Sequence, residues 1–384
     1  VTLSVAFAAA MARLGPFGAA PRLAVAVSGG ADSTALALLA RDWAERQAGA
    51  VLALIVDHGL RAESAAEAAL TQQRLAARAI PAQVITLNLP AGPALQERAR
   101  DARHAALAAA ARDAGCIHLL LGHHAGDQAE TVAMRARRGE WGLEGMAAWS
   151  ARNDIVMIRP LLAFAAPDLR DYLRKREMAW VEDPSNADRR FERVRIRQDS
   201  APHPVGAPDE RQARERGAAA FLARHATLRP EGFAVLDAAA APPAALGALL
   251  RMIGGGRYPP AQAKVAALAA GLRPATIGGV RIVPAGRLGP GWLLAREPAA
   301  CGADIVAAAG AVWDNRFMLT ENFLPGTTLA ALGPDAARHR GFAGLPALVL
   351  RGMPCLRRAG AVIRFPAAAR FVPPAPAASH PFSA

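Results

Sequence analysis

The sequence predicts an α/β fold: a parallel sheet with helices on both faces, followed by a smaller, mainly helical C-terminal region. Three observations carry this. Short runs that are apolar throughout alternate with stretches of helical spacing, the pattern of strands covered on both faces by crossover helices. Three of these runs end in small or polar residues, Ser28-Gly29-Gly30, Asp57-His58-Gly59 and Gly122-His123-His124, at the strand ends where such sheets bind ligands. A length of 384 residues with 53% hydrophobic content also suffices for more than one buried core.

In chain order, residues 23–27 form an apolar strand, and Leu36, Leu39 and Trp43 set a helix over 34–46. Residues 51–56 are a second strand, 64–79 a helix, 83–87 a strand and 94–114 a long helix. Strand 117–121 leads into helix 127–137. Strand 155–158 follows, then a helix over 167–176 with Pro167 in its first turn, where a missing N–H costs nothing. The first 20 residues read as an N-terminal extension and 21–199 as the main domain. Residues 200–216, rich in Pro, Gly and charge, read as a linker. A second domain is expected over 217–300, then a C-terminal extension over 301–384 whose Pro/Ala-rich tail has little fixed structure. Gly254-Gly255-Gly256 follows a helix-like run, not a strand, and reads as a helix stop.

Lys and Arg total 45 against 32 Asp and Glu, a net charge of +13, and only Lys175 and Lys264 are lysines. Composition bias toward Arg and Ala explains this as readily as a polyanionic partner gripped by guanidinium forks. Cys116, Cys301 and Cys355 are far apart, with no CxxC. That spacing argues against a disulfide framework, a zinc site and a cysteine-ligated cluster, and for a cytoplasmic location. No window supplies the ~20 apolar residues of a membrane span.

The most specific feature is Ser28-Gly29-Gly30-Ala31-Asp32-Ser33, between a buried strand and a helix start. Glycines let the backbone approach an anion, and a helix N-terminus presents free N–H groups and positive dipole. The Ser28 and Ser33 hydroxyls add donors, and Asp32 suits a Mg²⁺ ion beside polyphosphate. The string lacks the Gly-Lys-Ser/Thr of a Walker loop. Farther on, Asp127 and Glu130 share a helix face, with His123 on the entering loop, a set suited to proton transfer and metal holding. Residues 189–197 carry five arginines with Phe191 among them, which suits phosphate contacts and base stacking. Taken alone, that run reads more simply as a solvated helix face.

The loop resembles the SGGxDS loop of the N-type ATP pyrophosphatases. The likeness continues through Val56-Asp57-His58-Gly59-Leu60-Arg61, Ala99-Arg100-Asp101-Ala102-Arg103-His104, Gly122 to Thr131, and Arg159 to Arg197. In this order the blocks resemble the tRNA(Ile)-lysidine synthetase family over roughly residues 20–200, and more weakly at 275–279 and 295–298. The resemblance implies an adenine nucleotide alpha hydrolase-like (PP-loop) domain and a tRNA-binding region. It implies ATP and Mg²⁺ as cofactors, with free L-lysine and tRNA(Ile) bearing a CAU anticodon as partners. Lysine would be joined to the wobble cytidine through an adenylated intermediate. Oligomeric state is not assigned, a homodimer being one option.

Carried over by position, Ser28, Gly29, Gly30, Ala31, Asp32, Ser33 and Asp57 would hold ATP, with Asp32 on Mg²⁺. Asp32, Arg100, His123, Asp127 and Arg193 would be catalytic. Arg103, Glu130, Asp183, Asn186, Arg195 and Arg197 would contact substrate or tRNA. The sequence departs from the family pattern at Gly126, where an Asp is common, at His104 (often Tyr) and at Val194 (often Asn). The Gly-rich stretch after Arg138 is short, and 200–216 replaces an apolar continuation. The rivals are a 2-thiocytidine-type thiolase, which needs cysteines this chain does not group, a small-molecule adenylating synthetase making NAD or GMP, and a non-catalytic RNA-binding paralogue.

Overall fold

The computed structural model describes residues 2–57, 59, 63–87, 95–137, 144–151, 155–182, 195–196, 208–256 and 258–373. The chain forms two compact units, Val1–Arg211 and Gln212–Ala384.

The first unit runs α1 (Leu3–Leu14), β1 (Arg22–Val27), α2 (Ala31–Glu45), β2 (Ala50–Asp57), α3 (Ser64–Ala76) and β3 (Ala82–Thr86). It continues with α4 (Leu95–Asp113), β4 (His118–Leu120), α5 (Ala125–Ala136), β5 (Trp149–Ala151), β6 (Val156–Ile158) and α6 (Ala166–Arg174). The sheet order is β3-β2-β1-β4-β6-β5. β1 pairs in parallel with β2 and β4, β2 with β3, and β4 with β6; β5 alone lies antiparallel, against β6. The expected parallel sheet is therefore present, with an added antiparallel edge.

Alternation along β1 sorts its side chains between two cores. Leu23, Val25 and Val27 join α1, α2, α3 and α6 on one face. Ala24 meets Leu107 and Ala111 of α4 on the other. Two crossovers of one hand carry the chain outward from β1 to β3, and the return over α4 to β4 must cover the opposite face. The first 20 residues are built into the first core rather than appended to it. Phe7 and Met11 of α1 are fully buried, and Phe17 meets Trp43 edge-to-face with centroids 5.1 Å apart.

Where α6 packs on α2, the Tyr172 hydroxyl donates to Asp42 Oδ2 (3.4 Å), which also pairs with Arg176 (2.9 Å). Burial first, and then the Asp42 charge, push the Tyr172 phenol up to about 12. An unfolded tyrosine ionises near 10, so this group favours the folded chain fully below pH ~10 and loses that contribution as pH climbs toward 12. The chain has two tyrosines. In a Tyr258→Phe background the remaining phenolate absorbance is therefore expected to appear only toward pH 12. A Tyr172→Phe variant should lose less stability over that alkaline interval.

The second unit begins within α7 (Pro208–His225), so a helix occupies the latter half of the stretch read as linker. It continues through β7 (Ala226–Arg229), β8 (Phe233–Leu236), α8 (Pro243–Gly254), α9 (Gln262–Ala269), β9 (Ala275–Ile277), β10 (Val280–Pro284) and β11 (Trp292–Arg296). Then come β12 (Ile305–Val306), β13 (Val312–Trp313), β14 (Phe317–Leu319), β15 (Thr327–Ala331), α10 (Ala347–Gly352), β16 (Pro354–Arg358), β17 (Ala361–Arg364) and β18 (Ala369–Phe371). These strands form three sheets, β7-β8-β11-β10-β9, β12-β15-β16-β17 and β13-β14-β18.

The expectation of a mainly helical C-terminal region is thus corrected to antiparallel sheets carrying a few helices. Strands of two to five residues are too short to declare a period of two, and interspersed alanines read as helix formers. The triple glycine does end α8, with Gly255 left-handed at φ 69°. Gly278 and Gly279, at φ 58° and 72°, make the two-residue turn joining β9 to β10. Residues 301–373 belong to this unit's sheets; the tail beyond 373 lies outside the described residues. Among the described residues no helix is long and apolar enough to cross a membrane.

Candidate active site

β1 lies between β2, reached by one crossover, and β4, from which the chain continues outward to β6. The connections leave the carboxyl ends of β1 and β4 in opposite directions and open a crevice there. The loop Ser28–Ser33 sits at the end of β1. The Gly122-His123-His124 segment sits at the end of β4.

Gly29 holds φ 85°, and its carbonyl accepts the Val181 N–H at 2.8 Å and the Thr34 hydroxyl at 3.4 Å. Ser33 Oγ accepts the Ser28 N–H and donates to the Gly30 carbonyl, each at 3.1 Å. Ser28 Oγ lies 3.1 Å from Ser33 Oγ, so the two hydroxyls share one edge of the turn. The N-cap of α2 is Gly30, which brings no side chain to the first helical amides and leaves them room for an anion. Asp32 stands in the first helical turn, its side chain about a third exposed.

The two strand ends meet closely because position 122 is glycine. A Cβ there would lie 3.1 Å from the Ser33 backbone. α5 then starts with His124 as its N-cap. His124 Nδ1 accepts the Gly126 N–H at 2.9 Å, and Asp127 Oδ2 accepts the His124 N–H at 2.9 Å. His124 Nε2 reaches to 3.6 Å from Asp32 Oδ2 and 3.7 Å from Asp127 Oδ2. The crevice thus gathers two carboxylates and an imidazole beside an uncapped helix N-terminus.

Of the residues singled out in the sequence, Ser28 to Ser33 and Asp127 share this crevice, and His123 stands half-buried beside His124 at the end of β4. Glu130 lies one turn along α5 and is buried. Asp57 ends β2 and is buried, its Oδ1 accepting from the Gly59 N–H (2.9 Å) and the Ser64 hydroxyl (2.6 Å). Arg100 is exposed and Arg103 half-buried on α4. α4 follows β3, so its first turns lie at the same end of the sheet as the crevice. Arg195 is exposed beside buried Ile196. Asp183, Asn186, Arg193 and Arg197 lie outside the described residues.

Two residues were missed by sequence reasoning. Gln128, 3% exposed, clamps Met146 by both amide atoms, accepting from its N–H (2.5 Å) and donating to its carbonyl (3.2 Å). His124 was passed over for its neighbour His123. The signal for His124 was its place immediately before a helix, since a residue there accepts from the first helical amides.

The model of the PP-loop domain family matches residues 4–203. Curated tRNA(Ile)-lysidine synthases are similar over more of the chain. That of Ruegeria pomeroyi is 37% identical over 339 residues, covering 81% of this chain and 80% of the relative. That of Mesorhizobium japonicum is 38% identical over 349 residues, covering 82% and 76%. The chain belongs to the tRNA(Ile)-lysidine synthase family. Another relative, from Novosphingobium aromaticivorans, reaches 46% identity over 182 residues, and there the match spans 46% of this chain and 55% of the relative.

Within this family's PP-loop, Gly29 is the position with least freedom. A Cβ on it would lie 2.6 Å from Thr71 Oγ1 and 3.4 Å from Val181, and that Thr71 hydroxyl is already bonded to the Glu67 carbonyl at 2.8 Å. Gly29→Ala adds left-handed strain of ~1–3 kcal/mol to that clash. The variant is expected to melt several degrees lower and to bind ATP at least ~10-fold more weakly, because the loop must move away from its anion-binding shape. Thermal melts and ATP titration check both effects.

Proposed function

We propose that this chain is an ATP-dependent ligase, acting in the cytoplasm, that joins free L-lysine to the wobble cytidine of tRNA(Ile) with a CAU anticodon. The observation that carries the proposal is the convergence of the uncapped α2 N-terminus with Asp32, His124 and Asp127 at the crevice between β1 and β4. The name borne by the relatives supplies the acceptor.

The reaction divides into two displacements. The cytidine ring carbonyl oxygen attacks the α-phosphorus of ATP, and pyrophosphate leaves. The lysine amine then attacks the same ring carbon, giving up its proton, and AMP departs with the original oxygen. A carbonyl oxygen leaves poorly until adenylation makes it part of a phosphate ester. The amides at the start of α2 and the Ser28 and Ser33 hydroxyls bind the departing pyrophosphate. Asp127 holds the lysine ammonium, and His123 and Asp127 take the proton it sheds. Arg100, with Arg193 and Arg197, grips phosphate and developing charge.

Among the described residues no group of three or more His, Cys, Asp or Glu gathers into a metal cage. A single accessible carboxylate at a helix N-terminus instead fits Mg²⁺, which keeps its waters and substrate phosphates as ligands. Asp32 would hold it, and the ion would offset charge on the pyrophosphate. The thiolase alternative has no support here, since Cys116 precedes β4 at the opposite end of the sheet from the crevice. ATP, Mg²⁺, labelled lysine and tRNA(Ile) with a CAU anticodon should yield lysine-dependent AMP and labelled tRNA. Absence of both sinks the proposal.

A further inference from the structure

His124 is held more tightly than a helix cap requires. Its Nδ1 accepts the Gly126 N–H at 2.9 Å. A ring nitrogen that accepts carries no hydrogen, so the neutral imidazole bears its hydrogen on Nε2. Nε2 lies 3.6 Å from Asp32 Oδ2 and 3.7 Å from Asp127 Oδ2, just beyond hydrogen-bond distance of each. Such long contacts tighten when a substrate complex forms. The side chain is 11% exposed and lies across Gly126. A Cβ at 126 would stand 2.6 Å from its Cε1 and 3.0 Å from Nδ1. Glycine at 126 therefore gives the ring its room.

We propose that His124 is a positioning residue whose Nε2–H bridges Asp32 and Asp127, setting the phosphate loop relative to the carboxylate that receives lysine, and that Gly126 is needed for the ring to lie there. This inference rests on the ligase function proposed above. A plain cap needs only an acceptor near the first helical amides, which an asparagine supplies. The bridge needs a donor one ring-width farther out.

Two substitutions separate these roles in the full chain. His124→Asn keeps an acceptor for the Gly126 N–H but cannot reach both carboxylates. His124→Gln carries an amide donor to the Nε2 position and gives up the cap. His124→Asn is expected to melt within a few degrees of the wild type yet lose ~10–100-fold in kcat, the scale for partners that orient a metal-bearing carboxylate, with the KM for tRNA unchanged. His124→Gln should melt lower and recover part of kcat. Gly126→Ala removes a helix glycine, which favours α5, but expels the ring and should lose kcat as His124→Asn does.

A stable His124→Asn with kcat within ~2-fold of wild type overturns the proposal. So does loss of kcat that simply follows melting temperature across the three variants. Should wild-type chain ligate no lysine, the function reading fails separately. The bridge is then judged by Mg²⁺-ATP affinity in calorimetry, expected to fall ~10-fold in His124→Asn, and an unchanged affinity rejects it.

Discussion

Asp32→Ala is expected to abolish pyrophosphate release from ATP while leaving the chain folded. Asp32 sits in the first turn of α2, and its side chain is about a third exposed. Its contribution to stability is therefore the modest attraction of a carboxylate for a helix N-terminus, ~0.3–1 kcal/mol. Its contribution to the reaction is larger. In the proposed site it holds the cation that balances pyrophosphate charge, and it is one end of the His124 bridge. Removing a single electrostatic group from a preorganised site costs ~10²–10³ in kcat, and loss of a bound cation adds to that. Pyrophosphate release at saturating ATP, measured beside a thermal melt, checks the pair of statements. Retained turnover above a tenth of wild type would contradict the metal role. A large fall in melting temperature would contradict the structural account.

Much of this unit was legible because its signals are local. β1 and β2 carry runs that are apolar on both faces, over 23–27 and 51–56, the pattern of strands buried in a parallel sheet, and β4 was placed by Leu119 and Leu120 ahead of Gly122. The Ser28–Ser33 loop was legible because its function is a backbone function: glycine and position specify it. β5 was not legible, since Trp149-Ser150-Ala151 carries no period and pairs only through its neighbour β6. α1 was not placed because burial of Phe7 and Met11 depends on distant partners in α2. His124 was hidden by a different ambiguity. Two adjacent histidines look alike in sequence, and which ring faces the carboxylates is decided by the capping bond to Gly126.

The second unit hides a buried ion cluster in the same way. Arg296, Asp314 and Arg316 are scattered in sequence, and nothing there marks them as partners. In the fold Asp314 and Arg316 are 3% and 1% exposed, and Arg296 only 10%. Asp314 accepts from Arg296 Nε (3.0 Å) and Nη2 (2.7 Å), from Arg316 Nε (2.8 Å) and from the Gly302 N–H (2.9 Å). Arg316 also reaches the carbonyls of Gly232 and Gly352, each at 3.4 Å. One carboxylate therefore pairs with two guanidiniums and ties β11 to the turn between β13 and β14.

Asp314→Ala leaves Arg316 buried with its charge uncompensated, which costs ~3–5 kcal/mol. A typical fold has only ~5–15 kcal/mol in total, so the second unit is expected to unfold at markedly lower denaturant. Trp313, fully buried beside Asp314, reports that transition by fluorescence. The double variant Asp314→Ala/Arg316→Met distinguishes a buried charge from lost packing. Methionine removes the stranded cation and fills much of its volume, so the double variant should be more stable than Asp314→Ala alone. If the two lose stability equally, the carboxylate acts through its bond to Gly302 and the turn geometry. If the single variant loses less than ~1 kcal/mol, water reaches Arg316 and the burial account fails.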